Sequence, residues 1–448
     1  MNVSAVPIRT PRWKRYAYRL VAAEISSLTR VSDACLQVAP LPFDQGTLLD
    51  SIVCPQKKAV TSLDDLPRSA AATENRHIAL LNGNLNYCSD IQDLLASIRA
   101  SQTRHSRLCV VIYNPLAKFL YALASFLHLR SAPAPRVFIT EQVLQNLAIL
   151  SGYAIERTRP CLFLPVYIPF LSNVLNRILP TIPLVRKFAL VWVITLRPAI
   201  ASTNRPSLSI IVPARNEAGH VPNLVQRIPG LGGAPIEVIF IEGHSTDDTW
   251  DRIRAVADHA HPRLKIRAYQ QSGKGKNDAV RLGLAQATGD LVTILDADMT
   301  MPPECLTAFY EAYCAGHGDL INGSRLVYPM ERDAMRPLNR MGNILFAKLL
   351  AHILDLCITD TLCGTKLLAR RDYQRIIKWR EHFGDFDPFG DFDLLFAVAD
   401  LALGTVDVPI RYGARSYGVT NIQRFRDGLR LVKMTVIGFC KIKLGKSA

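Results

Sequence analysis

The sequence lacks the features that mark several common classes of protein. Its ten cysteines include no C-x-x-C pair, so neither a zinc site of that spacing nor a disulfide framework is indicated. An arginine-rich run, a zinc-knuckle spacing and an RNP-like aromatic motif are also missing, which argues against a nucleic-acid partner. We expect most cysteines to be reduced, as in the cytosol. The net charge of +15 therefore indicates other anionic partners, such as nucleotides, lipid phosphates or a membrane surface.

Long apolar runs are absent as well. No stretch approaches the roughly 18 to 20 apolar residues that a spanning helix needs, and the best candidate is residues 188–196. Residues 1–40 contain basic side chains but no continuous apolar segment, so we do not expect a secretory signal. We therefore expect a cytoplasmic protein that lies on the cytoplasmic face of a membrane as a peripheral protein and does not cross it.

The first half of the chain predicts a small α/β domain over residues 41–200, after an N-terminal segment, 1–40, in which we place no element. Alternating apolar runs and capped amphipathic segments predict strands at 78–81 and 107–113, and helices at 89–98 and 140–150. Alternation of strands and helices is typical of an α/β unit.

These elements, with the turn at Ser151-Gly152-Tyr153, resemble the C-terminal half of a class I S-adenosylmethionine-dependent methyltransferase. Such folds bind their cofactor through a Gly-rich turn after the first strand. Nothing upstream of Ile78 matches that turn. We therefore expect residues 41–200 to be a truncated, inactive methyltransferase-like domain, with an unrelated α/β scaffold as the alternative.

Residues 161–200 combine apolar side chains with arginine, lysine and proline. One interpretation is core packing of the first domain. The other is an interfacial membrane patch, in which basic side chains extend past apolar ones toward lipid head groups. We favour core packing. Residues 201–206 are then a linker, and a second domain begins at Ser207.

Two carboxylates follow a short apolar strand in this second half. Residues 291–295 predict the strand, and Asp296 and Asp298 come directly after it. Positions i and i+2 of a strand point the same way, so both carboxylates can face one crevice. Their oxygens suit a hard divalent cation that keeps open positions for phosphate oxygens. Asp-x-Asp also occurs as turn chemistry, but open α/β sheets bind ligands at this end of a strand.

Three further strands are predicted at 208–212, 236–241 and 264–268, and each ends in a polar loop. Together with 291–295 they predict a doubly wound sheet with one ligand-binding edge, in a domain over 207–425. We expect Ser245 or Thr246 to cap the helix that follows the strand at 236–241.

This half resembles family 2 glycosyltransferases, which have the Rossmann-like GT-A fold. Five segments carry the resemblance in the family's order: IIVPARNE, VIFIEGHSTDDT, GKGKNDAVRLGLAQATGD, LDADMTMPPE and GDFDLL. The branch that makes polyprenyl- or dolichyl-phosphate sugars is the most similar, because a Pro-Pro-Glu turn follows Asp-Ala-Asp here too, at residues 302–304. The resemblance implies an inverting, metal-dependent transfer from a nucleotide sugar.

The resemblance also implies the residues of the donor site. The donor-binding candidates are Pro213, Arg215, Glu217, Glu242, Lys274, Asp296 and Arg415. A Mg²⁺ or Mn²⁺ ion on Asp298, with Asp296, would neutralise charge on the departing nucleoside diphosphate. The family's usual Asp-Asp-Gly-Ser is Glu242-Gly243-His244-Ser245 here, so the identity of the base is left open. For His244 we favour a role in the local turn.

On the acceptor side, Asp391 aligns with the catalytic base of inverting members. A hydroxyl acceptor needs such a base, whereas a polyprenyl phosphate is already anionic. We expect a polyprenyl phosphate first and a lipid-linked or glycan hydroxyl second, in cell-surface polysaccharide or glycolipid synthesis. Two alternatives stay open: a non-catalytic scaffold that binds nucleotides or lipid head groups, and a bifunctional methyltransferase–glycosyltransferase.

The C-terminal residues, 426–448, interleave basic and apolar side chains and predict a basic amphipathic helix. Such a helix can lie on an anionic bilayer, pack on the domain, or do both with opposite faces.

Overall fold

A computed structural model describes residues 12–66, 76–127, 130, 132–329, 337–385, 387, 390–413 and 424–444. The chain divides into two compact units. Unit 1 lies within Met1–Ala199 and includes Lys443–Ala448, and unit 2 spans Ile200–Ile442. Within the described ranges, no helix combines the length and the apolar character needed to cross a membrane.

Unit 1 is built on a six-stranded sheet with the order β2-β1-β3-β4-β6-β5. Its strands are β1 (Ala34–Val38), β2 (Gln56–Val60), β3 (His77–Asn82), β4 (Arg107–Tyr113), β5 (Tyr153–Cys161) and β6 (Val191–Pro198). The first four run parallel, while β6 runs antiparallel to both β4 and β5. The parallel strands β3 and β4 are almost wholly buried, as their continuous apolar sequences require.

The helices of unit 1 are α1 (Arg12–Thr29), α2 (Thr47–Ser51), α3 (Ile91–Ala100), α4 (Lys118–Phe126), α5 (Glu141–Leu150) and α6 (Leu171–Ile178). The predicted strands at 78–81 and 107–113 and the predicted helices at 89–98 and 140–150 are confirmed as β3, β4, α3 and α5. Asp90 caps α3, accepting from the Asp93 amide at 2.9 Å, and Thr140 caps α5. Residues 12–38, where the sequence predicted no element, supply α1 and the inner strand β1.

Core packing of residues 161–200 is confirmed only at the ends of the segment. Cys161 is buried, and so are most positions of β6. Between them, every residue from 166 to 171 is exposed, as are Leu184 and Phe188. The core interpretation is therefore wrong for this middle part, because an apolar sequence does not by itself fix the direction in which its side chains point.

Side chains fill the edge of unit 1 where its parallel strands end. Asp44 accepts hydrogen bonds from Gln37 of β1 at 2.6 Å and from Asn82 of β3 at 2.7 Å. Beside them, the Tyr113 ring packs against Tyr121 and lies under the guanidinium of Arg130. Burial raises the pKa of Tyr113 to about 12, against the lowering effect of Arg130. The edge is thus closed by amides and aromatic rings.

Unit 2 is built on a seven-stranded sheet with the order β13-β11-β12-β10-β7-β8-β9. Its strands are β7 (Leu208–Ala214), β8 (Ile236–Glu242), β9 (Leu264–Gln270), β10 (Leu291–Ile294), β11 (Leu320–Ser324), β12 (Lys366–Ala369) and β13 (Thr405–Pro409). The four predicted strands are confirmed as β7 to β10, and these run parallel to one another. Strand β12 runs antiparallel to β10 and β11.

The helices of unit 2 are α7 (Val221–Arg227), α8 (Thr249–Asp258), α9 (Lys276–Gln286), α10 (Leu306–Cys314), α11 (Pro337–Leu354), α12 (Arg370–Phe383), α13 (Phe392–Asp400) and α14 (Arg424–Gly438). Helix α9 packs so closely on β7 at Gly283 that a Cβ atom there would lie 2.4 Å from the Ile211 side chain. The predicted cap of α8 is wrong. Ser245 Oγ instead accepts from the Asn216 amide, and the helix begins only at Thr249.

The C-terminal helix, expected over 426–448, is described as α14 followed by a π-helical turn over Phe439–Leu444. Met434 is buried, whereas Leu429, Val432 and Val436 are exposed on the outer side of the helix. Helix α14 contacts α11, whose Met341, Leu345 and Leu349 are also exposed. The pair therefore packs by one face and presents apolar side chains on another.

Candidate active site

The carboxyl ends of β7, β8, β9 and β10 meet at one edge of the unit 2 sheet. The chain proceeds outward from β7 to β8 and β9, and then returns to place β10 on the other side of β7. Ligands of open α/β sheets bind at the point where the strand order reverses in this way. The space beyond the ends of β7 and β10 is therefore the expected ligand crevice.

Asp296 and Asp298 lie at this reversal point, just past the end of β10. Both are partly exposed, while Ala297 between them is buried. Asp298 Oδ1 accepts hydrogen bonds from the Thr300 amide at 3.1 Å and from its hydroxyl at 2.8 Å. The turn includes Met299 at a φ of 52°, a left-handed conformation that holds the chain in a sharp bend. The predicted pair of carboxylates is thus fixed at the edge of the sheet.

A lysine contacts the first of these aspartates. Lys276, the first residue of α9, places its Nζ 2.6 Å from Asp296 Oδ1. Although 40% of the Lys276 side chain is exposed, desolvation of its ammonium group acts to lower its pKa; the charges of Asp296, Asp391 and Asp298 outweigh this effect and raise that pKa above its usual value. Lys276 is therefore a permanent cation among the carboxylates at neutral pH.

The loop before β12 approaches this pair closely. A Cβ atom on Gly364 would lie 2.6 Å from Lys276 Nζ and 2.7 Å from Asp296 Oδ2. Any larger side chain at position 364 would displace the ion pair.

The first residue of β12 positions Asp391. Lys366 is fully buried, and its Nζ donates to Asp391 Oδ1 at 2.9 Å and to the Cys363 carbonyl. Asp391 directly precedes α13, and 15% of its side chain is exposed. The structure thus anchors Asp391 on a buried cation while part of its carboxylate stays accessible.

Arg325 and Asp360 fix the start of this loop. Arg325 donates to both carboxylate oxygens of Asp360, at 2.7 and 2.9 Å. Burial alone would raise the pKa of Asp360, but the hydrogen bonds and charge of Arg325 lower it. A two-point contact of this kind is rigid, so it holds the segment that carries Gly364 and Lys366.

The predicted donor-binding residues of the β7 and β8 loops are placed at the same edge, but their carboxylates have internal partners. Glu217 is buried, with Oε2 2.7 Å from His220 Nδ1. Glu242 is buried and accepts from the Ser245 amide at 2.5 Å. Pro213 is partly exposed and Arg215 is exposed. Direct contact of these residues with a nucleotide stays a prediction.

Lys274 and His244 lie in neighbouring loops of this edge. Lys274 is exposed, and the ion pair with Asp296 is made by Lys276 instead. His244 has a φ of 58°, and its Nε2 lies 2.9 Å from the Gly273 carbonyl, which agrees with a role in the local turn. Arg415 falls outside the described residues.

The two aspartates suit the divalent cation that the sequence implied. In the described ranges, no group of three or more His, Cys, Asp or Glu side chains is arranged to hold a metal. Asp296 and Asp298, the pair that the sequence implied, would be its protein ligands. That donor set fits Mg²⁺ or Mn²⁺, which are bound by one or two carboxylates and take water and substrate phosphate for the remaining positions.

Residues 209–377 match the family described as Glycosyl transferase family 2. A dolichyl-phosphate hexose transferase of Haloferax volcanii is 27% identical over 51% of this chain and 92% of its own length. A dolichol-phosphate mannosyltransferase of Pyrococcus furiosus is 28% identical over 48% of this chain and 59% of its own length.

Among solved structures, glucosyl-3-phosphoglycerate synthase from Mycobacterium tuberculosis, in complex with Mn²⁺, uridine diphosphate and glucosyl-3-phosphoglycerate, is 20% identical. It covers 53% of this chain and 81% of its own, with a TM-score of 0.39.

The family match begins one residue into β7 and contains both aspartates and Lys276, while residues 1–208 lie outside it. Together with the parallel order of β7 to β10, it supports the Rossmann-like GT-A fold expected for unit 2. The protein is a glycosyltransferase, and its residues 209–377 match the model of family 2.

Proposed function

We propose that this protein transfers a sugar, with inversion, from a nucleotide sugar to a polyprenyl phosphate. The observation that carries the proposal is the cluster at the strand reversal, where Lys276 pairs with Asp296 close to Asp298 and Asp391. Carboxylates alone would repel a diphosphate. A permanent cation beside them, together with a divalent cation, makes the same edge attractive to it.

The donor side of the reaction needs charge neutralisation. As the anomeric carbon separates from the diphosphate oxygen, the electron pair of that bond stays on the diphosphate. Asp296 and Asp298 would hold a divalent cation, which would supply Lewis-acid stabilisation of that growing charge. Lys276 supplies a second positive charge at the same place. The loop that contains Gly364 packs against the ion pair of Lys276 with Asp296 and holds the lysine in position.

The acceptor side distinguishes two chemistries. A phosphate oxygen is already a charged nucleophile, so Asp391 is not needed to remove a proton from it. A hydroxyl of a glycan or lipid-linked sugar is the second candidate, and it would need Asp391 as a general base. The names of the two relatives, both transferases for dolichyl or dolichol phosphate, favour the phosphate.

A lipid acceptor implies work at a membrane surface, and we place the protein peripherally on the cytoplasmic face. The outward apolar side chains of α11 and α14 support this placement, as do the exposed basic residues Lys348 and Lys433 on these helices. Anionic lipids would attract such a face.

Unit 1 has no proposed role in methyl transfer. Its likeness to a methyltransferase stays a prediction, and the segment after β1, from Ala39 to Gly46, contains one glycine and three residues that restrict the chain or carry bulk: Pro40, Pro42 and Phe43. Asp44 in that segment is held by Gln37 and Asn82. A nucleoside cofactor would have to open these contacts.

The test is product formation from a panel of nucleotide sugars with Mg²⁺ or Mn²⁺. A short polyprenyl phosphate is compared with the corresponding free prenol and with a glycan, and release of nucleoside diphosphate is measured with the lipid product. We expect turnover with the phosphate that stops when a chelator is added. Turnover with the glycan alone would select the second candidate, and no turnover with any acceptor would contradict the proposal.

A further inference from the structure

Unit 1 carries a large exposed apolar surface that its sheet does not need. Two segments form it. The first is residues 116–127, around α4, and the second is residues 166–188, around α6. Together we call them the apolar face. More than half of the large apolar side chains that are exposed in the described ranges belong to it: Leu116, Phe119, Leu120, Leu123, Phe126, Leu127, Val166, Tyr167, Ile168, Phe170, Leu171, Ile178, Ile182, Leu184 and Phe188.

The two segments are joined at their bases. Asn114, at the end of β4, donates to the carbonyls of Lys187 and Ala189, each at 2.6 Å. The hydroxyl of Tyr121 in α4 donates to the Leu190 carbonyl. The end of the second segment is therefore held beside the start of the first, next to the end of β4.

In the second segment, polar side chains face the interior and apolar side chains face the solvent. Ser172 is fully buried, accepts from the Ile168 amide at 2.7 Å and donates to the Val166 carbonyl at 2.7 Å. Asn176 Oδ1 accepts from the amides of Phe163 and Leu164, and its Nδ2 donates to the Leu164 carbonyl. Polar side chains thus satisfy the backbone from within, while the apolar ones point outward.

This arrangement suits a surrounding of low dielectric constant. In water, an exposed loop leaves its backbone groups to the solvent. In lipid, each unsatisfied group is costly, so the backbone must be paired inside the protein. Phe170 shows the same outward preference. Its φ is 67°, an uncommon conformation for a bulky residue, and 81% of it is exposed.

The charges of the face point to an anionic partner. No aspartate or glutamate occurs between Arg157 and Asn216, and none between Arg107 and Thr140. The basic residues of the two segments are Lys118, Arg177, Arg186 and Lys187, and all except Arg186 are exposed. Lysine and arginine residues, whose long aliphatic side chains lie beside apolar residues, are typical of interfacial segments on anionic membranes.

We propose that the apolar face of unit 1 is a lipid-docking surface that inserts into the head-group region of an anionic bilayer. A second copy of this chain would also cover apolar area, but it would bring the basic residues of two faces together. A bilayer with anionic lipids instead pairs them with phosphates. The inference goes beyond the proposed transfer of sugar, since vesicle binding requires neither donor nor acceptor.

The test uses the full chain and vesicles of phosphatidylcholine with about a third phosphatidylglycerol, an amount that gives the surface a negative potential. The variant Phe170→Asp/Leu184→Asp places carboxylates at two of its most exposed positions. Both side chains are exposed, so the substitutions remove no core contact and the loop should still form. The control, Ile149→Asp/Leu150→Asp, changes exposed apolar residues at the end of α5. Those residues precede Tyr153, which pairs with Pro198 at the far end of β6 from Val191.

We expect wild type and the α5 control to sediment with the vesicles equally well, and the face variant to bind at least about tenfold more weakly. Equal binding by the face variant, as would follow if α14 alone held the lipid, overturns the proposal. So does an equal loss in both variants, or a wild type that does not bind vesicles.

Light scattering supplies a further outcome. A wild-type dimer that the face variant converts to a monomer, without a change in vesicle affinity, would assign the face to self-association and overturn lipid docking. Thermal stabilisation by a nucleoside diphosphate with Mg²⁺ is measured on the same samples. It reports on the proposed transferase site alone, so failure of that site and failure of lipid docking are distinguished.

Discussion

The two sheets share a plan but present different chemistry where their parallel strands end. In unit 2, β7 and β10 end in a cluster of carboxylates around Lys276, at the point where the strand order reverses. In unit 1, Asp44 and its amide partners lie at the ends of β1 and β3, and at the end of β4 the tilted rings of Tyr113 and Tyr121 pack together beside Arg130. The edge of unit 2 keeps its charged groups accessible. At the edge of unit 1, the polar side chains hydrogen-bond to one another.

This difference indicates that the fold provides a sheet edge in both units, whereas the loops at that edge determine whether it can bind a ligand. In unit 2, Gly364 and the buried Lys366 bring a distant loop against the edge without covering the aspartates. In unit 1, bulky rings occupy the corresponding space. We therefore assign ligand chemistry to the edge of unit 2, and surface attachment to the apolar face of unit 1.

Loss of a metal-binding carboxylate is expected to have the largest effect. Asp298→Ala should lower the release of nucleoside diphosphate about a thousandfold, because removing one preorganised charge-stabilising group costs on the order of 100- to 1,000-fold, and the bound cation would be weakened as well. The fold should be kept, since Asp298 is partly exposed. Asp290→Ala, an exposed aspartate at the opposite end of the same strand, is the matched control and should retain most of the activity. Full activity of the Asp298 variant would remove the metal role from this edge.

The second prediction compares Lys276, at the start of α9, with Lys274 in the loop before it. Lys276→Met should lower turnover about a hundredfold, because the variant removes the cation that balances three carboxylates. Lys274→Met should lower turnover far less, because the ion pair with Asp296 is made by Lys276. Steady-state turnover of the two variants and of wild type, measured at saturating Mg²⁺, tests this difference. A larger loss in the Lys274 variant would restore the role that the sequence assigned to that residue.

Sequence patterns predicted the strands of unit 2 because parallel strands buried on both faces are continuous apolar runs. Asp296 and Asp298 could be predicted for the same reason, since they follow such a run directly. The residues that contact these site carboxylates could not be predicted from the sequence. Lys276 and Gly364 meet although they are far apart in the chain, and Lys366 reaches Asp391 only after the loop before β12 has folded back. The quoted family segments contain Lys276 and Asp391 but neither Gly364 nor Lys366, so they gave no signal for the two residues of this loop and strand.

Unit 1 was harder to predict, for two physical reasons. Strand β1 is short and contains Gln37, a polar residue that is buried only because Asp44 accepts its hydrogen bond. Residues 166–171 have the composition of a core segment, and their outward orientation depends on Ser172 and Asn176, whose backbone contacts no periodicity reveals. A pattern of apolar residues indicates burial, but it does not identify the medium in which they are buried.

The third prediction concerns the tyrosine edge of unit 1 at alkaline pH. Tyr113 has a pKa of about 12 in the folded state, above the value near 10 of an unfolded chain. Its neutral form therefore stabilises the fold fully below pH 10, and this contribution is lost as the pH rises from 10 to 12. The loss is up to about 3 kcal/mol. Urea unfolding at pH 9 and pH 11.5 should show a smaller drop for Tyr113→Phe than for wild type. Tyr328→Phe, an exposed tyrosine of unit 2, should follow the wild type.

The smallest expected effect is at Asp391, and it separates the two acceptor chemistries. Asp391→Asn keeps an oxygen that can accept from Lys366, so the loop should hold its position. If the acceptor is a polyprenyl phosphate, its oxygen is already charged, and the variant should lose less than about tenfold in turnover. If a hydroxyl attacks, loss of the general base should cost on the order of 100- to 10,000-fold.

Rates with each acceptor class, at equal donor concentration, measure this difference. Asp385→Asn is the control, because Asp385 lies on the same segment but is exposed and paired with Arg281. We expect the Asp391 and Asp385 variants to differ little when the acceptor is a phosphate, because neither carboxylate then removes a proton. A thousandfold loss confined to the Asp391 variant, with a polyprenyl phosphate as acceptor, would show that this carboxylate acts on the reaction in another way. It would also contradict the assignment of the nucleophile to the lipid phosphate.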